Sequence, residues 1–153
     1  MENVFEILKI KQVITERALV EKGQERYVIR SPQDAATLLT KEIGDEDREV
    51  LMVLMLNTKN EVLALHRCHV GTLDSSVVHP REVYKGACLN NAYAILVAHQ
   101  HPSGFPQPSA EDFRVTQRLR EAGKILGIEL IDHIIVTANE ERYVSLKEQP
   151  SWT

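Results

Sequence analysis

At 153 residues, with 43% hydrophobic and 26% charged content, the chain is sized and composed for one soluble globular domain with its own core. A formal net charge of −4 gives no electrostatic footprint for nucleic acid, which leaves a local basic patch as the only electrostatic route to DNA. Two cysteines outside any CxxC spacing argue against a secreted disulfide scaffold, no apolar run reaches membrane-spanning length, and the start MENVFEILKIKQ is too charged for a signal peptide, so a cytoplasmic protein is expected.

No internal repeat or low-complexity segment interrupts the chain. Residues 1–30 mix short apolar stretches with charge and read as a small N-terminal arm, and residues 149–153 read as a tail. Ser31-Pro32-Gln33-Asp34 supplies an N-cap, a proline in the first turn and an early carboxylate, so a helix over AATLLTKEI is expected to run to Gly44. After the polar linker DEDR, the runs EVLMVLMLN (49–57) and 61–70 flank the turn TKN and predict a β-hairpin. GTLDSSVV reads as a loop, and His79-Pro80 opens a helix over REVYKGACLNNA.

AYAILVAH (92–99) has the length and unbroken apolarity of a strand buried on both faces. Residues 110–126 place Phe113, Val115, Leu119, Ala122 and Ile125 at helical spacing, with Gly127 as the stop. IELIDHIIVT predicts a second buried strand, and NEERYVSL a turn into a short final one. The alternation of strands and helices from 61 to 137 argues a single α/β domain.

The chemistry concentrates in AHQHPSGFPQPSAED (98–112). Strand alternation points His99 and His101 to one face and Gln100 to the other, at the C-terminal end of a central strand, where α/β sheets place their ligand sites. The prolines at 102, 106 and 108 disfavour continuation of the strand. Ser109 is the expected N-cap of the next helix, with Asp112 in its first turn. Two imidazoles and a carboxylate there could reach one ion, at roughly 2 Å each for zinc, and three protein ligands leave the open position of a catalytic site. Taken alone, Ser109-x-x-Asp112 is only a capping box and a histidine at a strand end only a hydrogen-bonded rim residue. The joint pattern is what argues for a metal, since capping requires no histidines.

That pattern, H-x-H-x7-S-x-x-D on His99, His101, Ser109 and Asp112, resembles the JAMM (MPN+) metalloprotease signature without a gap. The wider text from about residue 32 to 148 resembles the bacterial RadC family. The resemblance implies a single mixed-sheet JAB/MPN domain with cytidine-deaminase-like α-β-α layering behind the short arm. It also implies Zn2+ on His99, His101 and Asp112, a protein or peptide substrate, and hydrolysis of an amide or isopeptide bond. In that scheme the Ser109 hydroxyl stabilises the oxyanion, and an upstream glutamate beside an apolar strand moves the proton. Glu49 fits that place; Glu82 is the rival, otherwise a helix-start carboxylate favoured by the macrodipole. Two departures stand out. Gln100 replaces the asparagine of the family's common HNHPSG, and no stretch matches the helix-hairpin-helix region by which longer members approach DNA.

Other residues read as structural. Alternation puts His66 and Cys68 on one face of their strand and His69 on the other, so the three cannot chelate without a bulge. His133 reads as a satisfied buried histidine, and Trp152 lies in the tail. The leading expectation is a zinc metallohydrolase. The alternatives are a binding module, for protein or DNA, that keeps its zinc without turnover, and a nucleic-acid enzyme. A zinc deaminase needs H-x-E with P-C-x-x-C, and neither is present.

Overall fold

The computed structural model of the protein describes residues 4–18 and 26–152. The strand β1 (Val50–Leu56, VLMVLML) is buried at every position, because it lies between two cores. Leu51, Val53 and Met55 join one; Val50, Met52, Leu54 and Leu56 join the other. Period-2 alternation thus sends apolar side chains both ways, as expected of a strand covered on both faces.

Around β1 the sheet runs in the order β2-β1-β3-β4-β5, with β2 Val62–Val70, β3 Ala94–Gln100, β4 Glu129–Val136 and β5 Val144–Ser145. β1 is antiparallel to β2 and to β3, β3 and β4 are parallel, and β4 and β5 are antiparallel. The architecture is therefore the expected α/β domain on one mixed sheet. Helix α1 (Pro32–Ile43) covers one face with Ala35, Ala36, Leu39 and Ile43. Helices α2 (Pro80–Leu89) and α3 (Ala110–Leu126) cover the other with Val83, Tyr84, Ala87, Val115 and Leu119. Among the described residues no helix is long and apolar enough to cross a membrane.

Local signals set most boundaries. Ser31 Oγ accepts from Asp34 N (3.3 Å) to cap α1. Gly44 ends that helix with an ordinary right-handed φ of −60°, so conformational freedom does not explain it. A Cβ there would lie 2.4 Å from Thr40 O and 2.7 Å from Thr137 O, and only glycine fits. Gly127, by contrast, closes α3 at φ 74°, the left-handed cap expected of it.

Several expectations need correction. Helix α2 stops at Leu89 rather than at Ala92, and Asn91 turns the chain at φ 51°. Ile125 is 88% exposed, because the buried face of α3 runs through Val115, Leu119 and Gly123 and residue 125 lies about 200° round the helix from Gly123. At the C-terminal end of the expected arm, Val28 bridges Glu61, Val62 N donates to Tyr27 O (2.8 Å), and Ile29 is buried in the α1-side core. Pro150–Trp152 forms a 3-10 turn, and Trp152 packs against the α2/α3-side core with the Arg120 guanidinium 4.3 Å from its ring centroid. Part of the expected arm, residues 1–3 and 19–25, lies outside the described residues, as does Thr153.

Alternation also fails in β2. Leu51 pairs with His69 but Met52 with Arg67, so Cys68 is the extra residue of a β-bulge. His66 pairs with Val53, and both Leu51 and Val53 belong to the α2/α3-side core, so His66 and His69 share a face. The bulge removes the geometric objection raised by alternation. Even so, among the described residues His66, Cys68 and His69 do not bring their donor atoms together as a metal-binding group.

Candidate metal centre

The antiparallel register of β1 on β3 pairs Leu51 with His99. Carried two residues beyond the strand start, the same register sets Glu49 opposite His101, on the face of α2 and α3. Donor atoms of Glu49, His99 and His101 all lie within 4.8 Å of one another. The first turn of α3 brings Asp112 to the same point. Asp112 Oδ1 is 3.3 Å from His99 Nε2, and Oδ2 is 3.6 Å from His101 Nε2. The two Nε2 atoms are 3.1 Å apart. His99 and Asp112 are buried, while Glu49 and His101 are partly open to solvent.

Capping and convergence are one arrangement. Ser109 Oγ accepts from Asp112 N (3.2 Å), and Asp112 Oδ2 accepts from Ser109 N (2.8 Å), a complete capping box. The box fixes the Asp112 side chain at the helix start, toward the end of β3. Ser109 is exposed and accepts through its oxygen, so its O–H is left as a donor.

The rival carboxylate is elsewhere. Glu82 sits on the exposed side of α2, paired with Lys85 Nζ at 2.9 Å, and that hydrogen bond holds its carboxyl below the ordinary value. Glu49 is instead anchored beside the histidines. Its Oε2 accepts from Leu73 N (3.1 Å), and its carbonyl accepts from Gly71 N (2.7 Å). Gln100, on the opposite face of β3 as expected, binds the backbone on both sides of Glu49. Its Oε1 accepts from Val50 N (2.8 Å), and its Nε2 donates to Arg48 O.

The histidines are held from behind. His101 Nδ1 meets Phe105 O at 2.8 Å, and a carbonyl can only accept, so His101 carries a proton on Nδ1. His99 Nδ1 meets His133 Nε2 at 2.7 Å, and His133 Nδ1 meets Thr116 Oγ1 at 2.6 Å. His133 is fully buried and satisfied on both ring nitrogens, as expected; burial, and then the neighbouring His99, push its pKa well below the ordinary histidine value.

Electrostatics bind the cluster. Burial alone would raise the Asp112 pKa, but the adjacent His101 and His99 rings hold it far below the ordinary carboxylate range. The Asp112 carboxylate in turn raises the pKa of His101 against the opposing effect of burial.

The donor set fits a small divalent cation. Nitrogen and oxygen ligands at roughly 2.0–2.1 Å around a tetrahedral centre stand about 3.3 Å from each other. The separations here are 3.1, 3.3 and 3.6 Å. Without a cation, proton or metal, between them, lone pairs on two Nε2 atoms and a carboxylate would face one another. Of the five predicted site residues, the structure brings Glu49, His99 and His101 within 4.8 Å of one another, sets Asp112 against the two histidines, and puts Ser109 at the helix cap.

Sequence reasoning missed Thr116. The available signal was its place four residues after Asp112, one turn along the same helix face. The contact with His133 needs the parallel pairing of β4 on β3, which sets Val97 beside His133.

Comparison with known proteins gives a consistent result. A family model described as a RadC-like JAB domain matches residues 29–151. A UPF0758 protein of Desulfitobacterium hafniense is 48% identical over 142 residues, covering 93% of this chain and 62% of the relative. A UPF0758 protein of Moorella thermoacetica is 52% identical over 133 residues (87% and 57%), and one of Bacillus licheniformis is 48% identical over 126 residues (82% and 55%). The chain thus spans less than two thirds of the length of these curated relatives. Sequence, sheet topology and the residues gathered at the end of β3 agree that this chain belongs to the RadC-like JAB domain family.

Proposed function

We propose that this chain is a zinc-dependent hydrolase of amide or isopeptide bonds, acting on a protein or peptide. The observation that carries the reading is the convergence of His99 Nε2, His101 Nε2 and the Asp112 carboxylate, with the Glu49 carboxylate beside them. The three ligands would hold the ion and leave a coordination position open. Zinc bound there would supply an acidified water and a Lewis acid for the carbonyl.

The remaining work falls to the chain. Glu49, anchored through Leu73 N, is within reach to take a proton from the attacking water and return it to the leaving amine. The Ser109 O–H is the donor toward the developing oxyanion, a task compatible with its cap, which uses the oxygen as acceptor. His101 and Glu49 are open enough for a substrate to approach, while buried His99 and Asp112 give the site its rigid floor. Two cysteines free of any disulfide agree with action in the cytoplasm.

The test couples metal analysis to cleavage of a peptide and isopeptide library. Purified protein should hold one zinc and cleave, Glu49→Gln should keep the zinc and slow cleavage by roughly 10²–10⁴-fold, and His99→Ala/His101→Ala should lose both. Zinc retained with no cleavage of any substrate would overturn the enzymatic reading in favour of a binding module. Wild type that takes up no zinc would overturn the reading entirely.

A further inference from the structure

We propose that Thr116, acting through His133, fixes which nitrogen of His99 carries the proton, making both positioning residues for the site. The inference rests on His99 being a metal ligand.

Thr116 Oγ1 lies 2.7 Å from Asp112 O, a backbone carbonyl that can only accept. The hydroxyl has a single proton, and this contact uses it. At its 2.6 Å contact with His133 Nδ1, Thr116 Oγ1 must therefore accept, so His133 carries its proton on Nδ1. His133 is 0% exposed, has no carboxylate on either ring nitrogen, and is uncharged, which leaves a lone pair on Nε2. At 2.7 Å that lone pair accepts from His99 Nδ1–H. A His99 ring that ligates an ion is neutral, so its lone pair then falls on Nε2, the atom that faces His101 and Asp112.

Three hydrogen bonds thus run in one direction, from the ring of one candidate ligand to the backbone of another. Reversing the Thr116 hydroxyl would reverse them all. Thr116 would donate to His133 Nδ1, His133 Nε2–H would donate to His99 Nδ1, and His99 would present an N–H where the ion must bind. The carbonyl of Asp112 selects between the two states, because the reversed chain leaves it without the hydroxyl proton. Ligating histidines are commonly oriented by a partner on their other nitrogen. Here that partner is a second imidazole, whose own proton is set by a threonine on the helix that carries Asp112.

Thr116→Val keeps the shape and removes the acceptor. His133 Nδ1–H would then face a methyl group as a buried unsatisfied donor, and the ring escapes by moving its proton to Nε2. His99 follows, ending with its proton on Nε2.

The test uses the full chain labelled with 15N at histidine. Long-range 1H–15N spectra of the metal-free protein read both tautomers, and zinc titration reads affinity. Wild type should show His99 and His133 protonated on Nδ1. Thr116→Val should move both protons to Nε2 and weaken zinc binding roughly 10–100-fold. Thr116→Ser, which restores the hydroxyl, should match wild type in both readouts. A wild-type His99 protonated on Nε2 would overturn the proposal without recourse to any variant, as would Thr116→Val with unchanged tautomers. Wild-type protein with the expected tautomers but no zinc uptake would reject the metal reading while supporting the hydrogen-bond chain.

Discussion

Gln100 Oε1 accepts a hydrogen bond from Val50 N at 2.8 Å, fastening the start of the strand next to Glu49 to the end of the strand that carries His99. The same side chain donates to Arg48 O, so one amide grips the backbone on either side of Glu49. Residue 100 therefore serves the opposite face of the sheet from its two histidine neighbours and still bears on the site. Gln100→Ala leaves a buried N–H and a carbonyl without partners and should destabilise the protein by about 1–3 kcal/mol. Urea denaturation measures it. A loss below about 0.5 kcal/mol, the level of an ordinary surface substitution, would show that water takes over both bonds.

Ligand binding to the folded state alone raises its stability, by about 2.7 kcal/mol at a free concentration one hundred times Kd. In a domain of this size that corresponds to a rise in Tm of about 5–10 °C. Added zinc should produce such a rise in wild type, and a chelator should reverse it. His101→Ala should abolish the response. Asp112→Asn should weaken it while α3 stays capped, since the amide oxygen can still accept from Ser109 N. His66→Ala should respond like wild type, because His66 lies outside the cluster. A response lost equally in His66→Ala would relocate the ion to β2.

What could be read in the sequence follows from the range over which each signal acts. Ser31, Gly127 and the seven-residue run at 50–56 determine their own surroundings, and each appears in the structure as expected. The candidate site was legible for a similar reason. His99 and His101 share a face by strand alternation, and the Ser109–Asp112 box is four residues long. Three features escaped because they depend on a partner strand or helix. The bulge at Cys68 exists only in the pairing of β2 with β1. The docking of Trp152 requires α3 and the core beneath it. The contact between Thr116 and His133 joins α3 to β4, and periodicity along one segment carries no trace of it.

Asp132 offers a pH test away from the metal. Burial raises its pKa, although Ser145 Oγ (2.7 Å), Lys147 N (3.2 Å) and His133 N (2.7 Å) all donate to its carboxylate. A carboxyl whose folded pKa exceeds its unfolded value binds its proton more tightly in the folded state. Its contribution to stability is full below the unfolded value and is lost as pH rises through the folded one. Asparagine keeps an acceptor for the two backbone donors and never ionises. The Tm of Asp132→Asn minus that of wild type should therefore grow from about pH 4 to about pH 7.5, across the range above the ordinary aspartate pKa. A difference that shrinks over that range would mean that the three donors outweigh burial.

Trp152 closes one end of the α2/α3-side core. Its ring packs against that cluster, the Arg120 guanidinium lies 4.3 Å from its centroid, and Arg120 also donates to the Trp152 carbonyl. The indole thus joins the last turn of the chain to the middle of α3, the helix whose first turn carries Asp112. An exposed cation–π contact contributes about 0.5–1 kcal/mol, and the apolar area covered by the ring adds to it at about 25 cal/mol per Å². Trp152→Ala should cost about 1–2 kcal/mol in urea denaturation, within the common range for single substitutions. Trp152→Phe should recover part of that loss, because a smaller ring retains both packing and cation attraction. The site lies at the opposite end of α3, so zinc should raise Tm by the same amount in Trp152→Ala as in wild type. A variant that loses its zinc response while remaining folded would show that the C-terminal turn sets the position of Asp112, and that α3 moves as a rigid body when its far end is released.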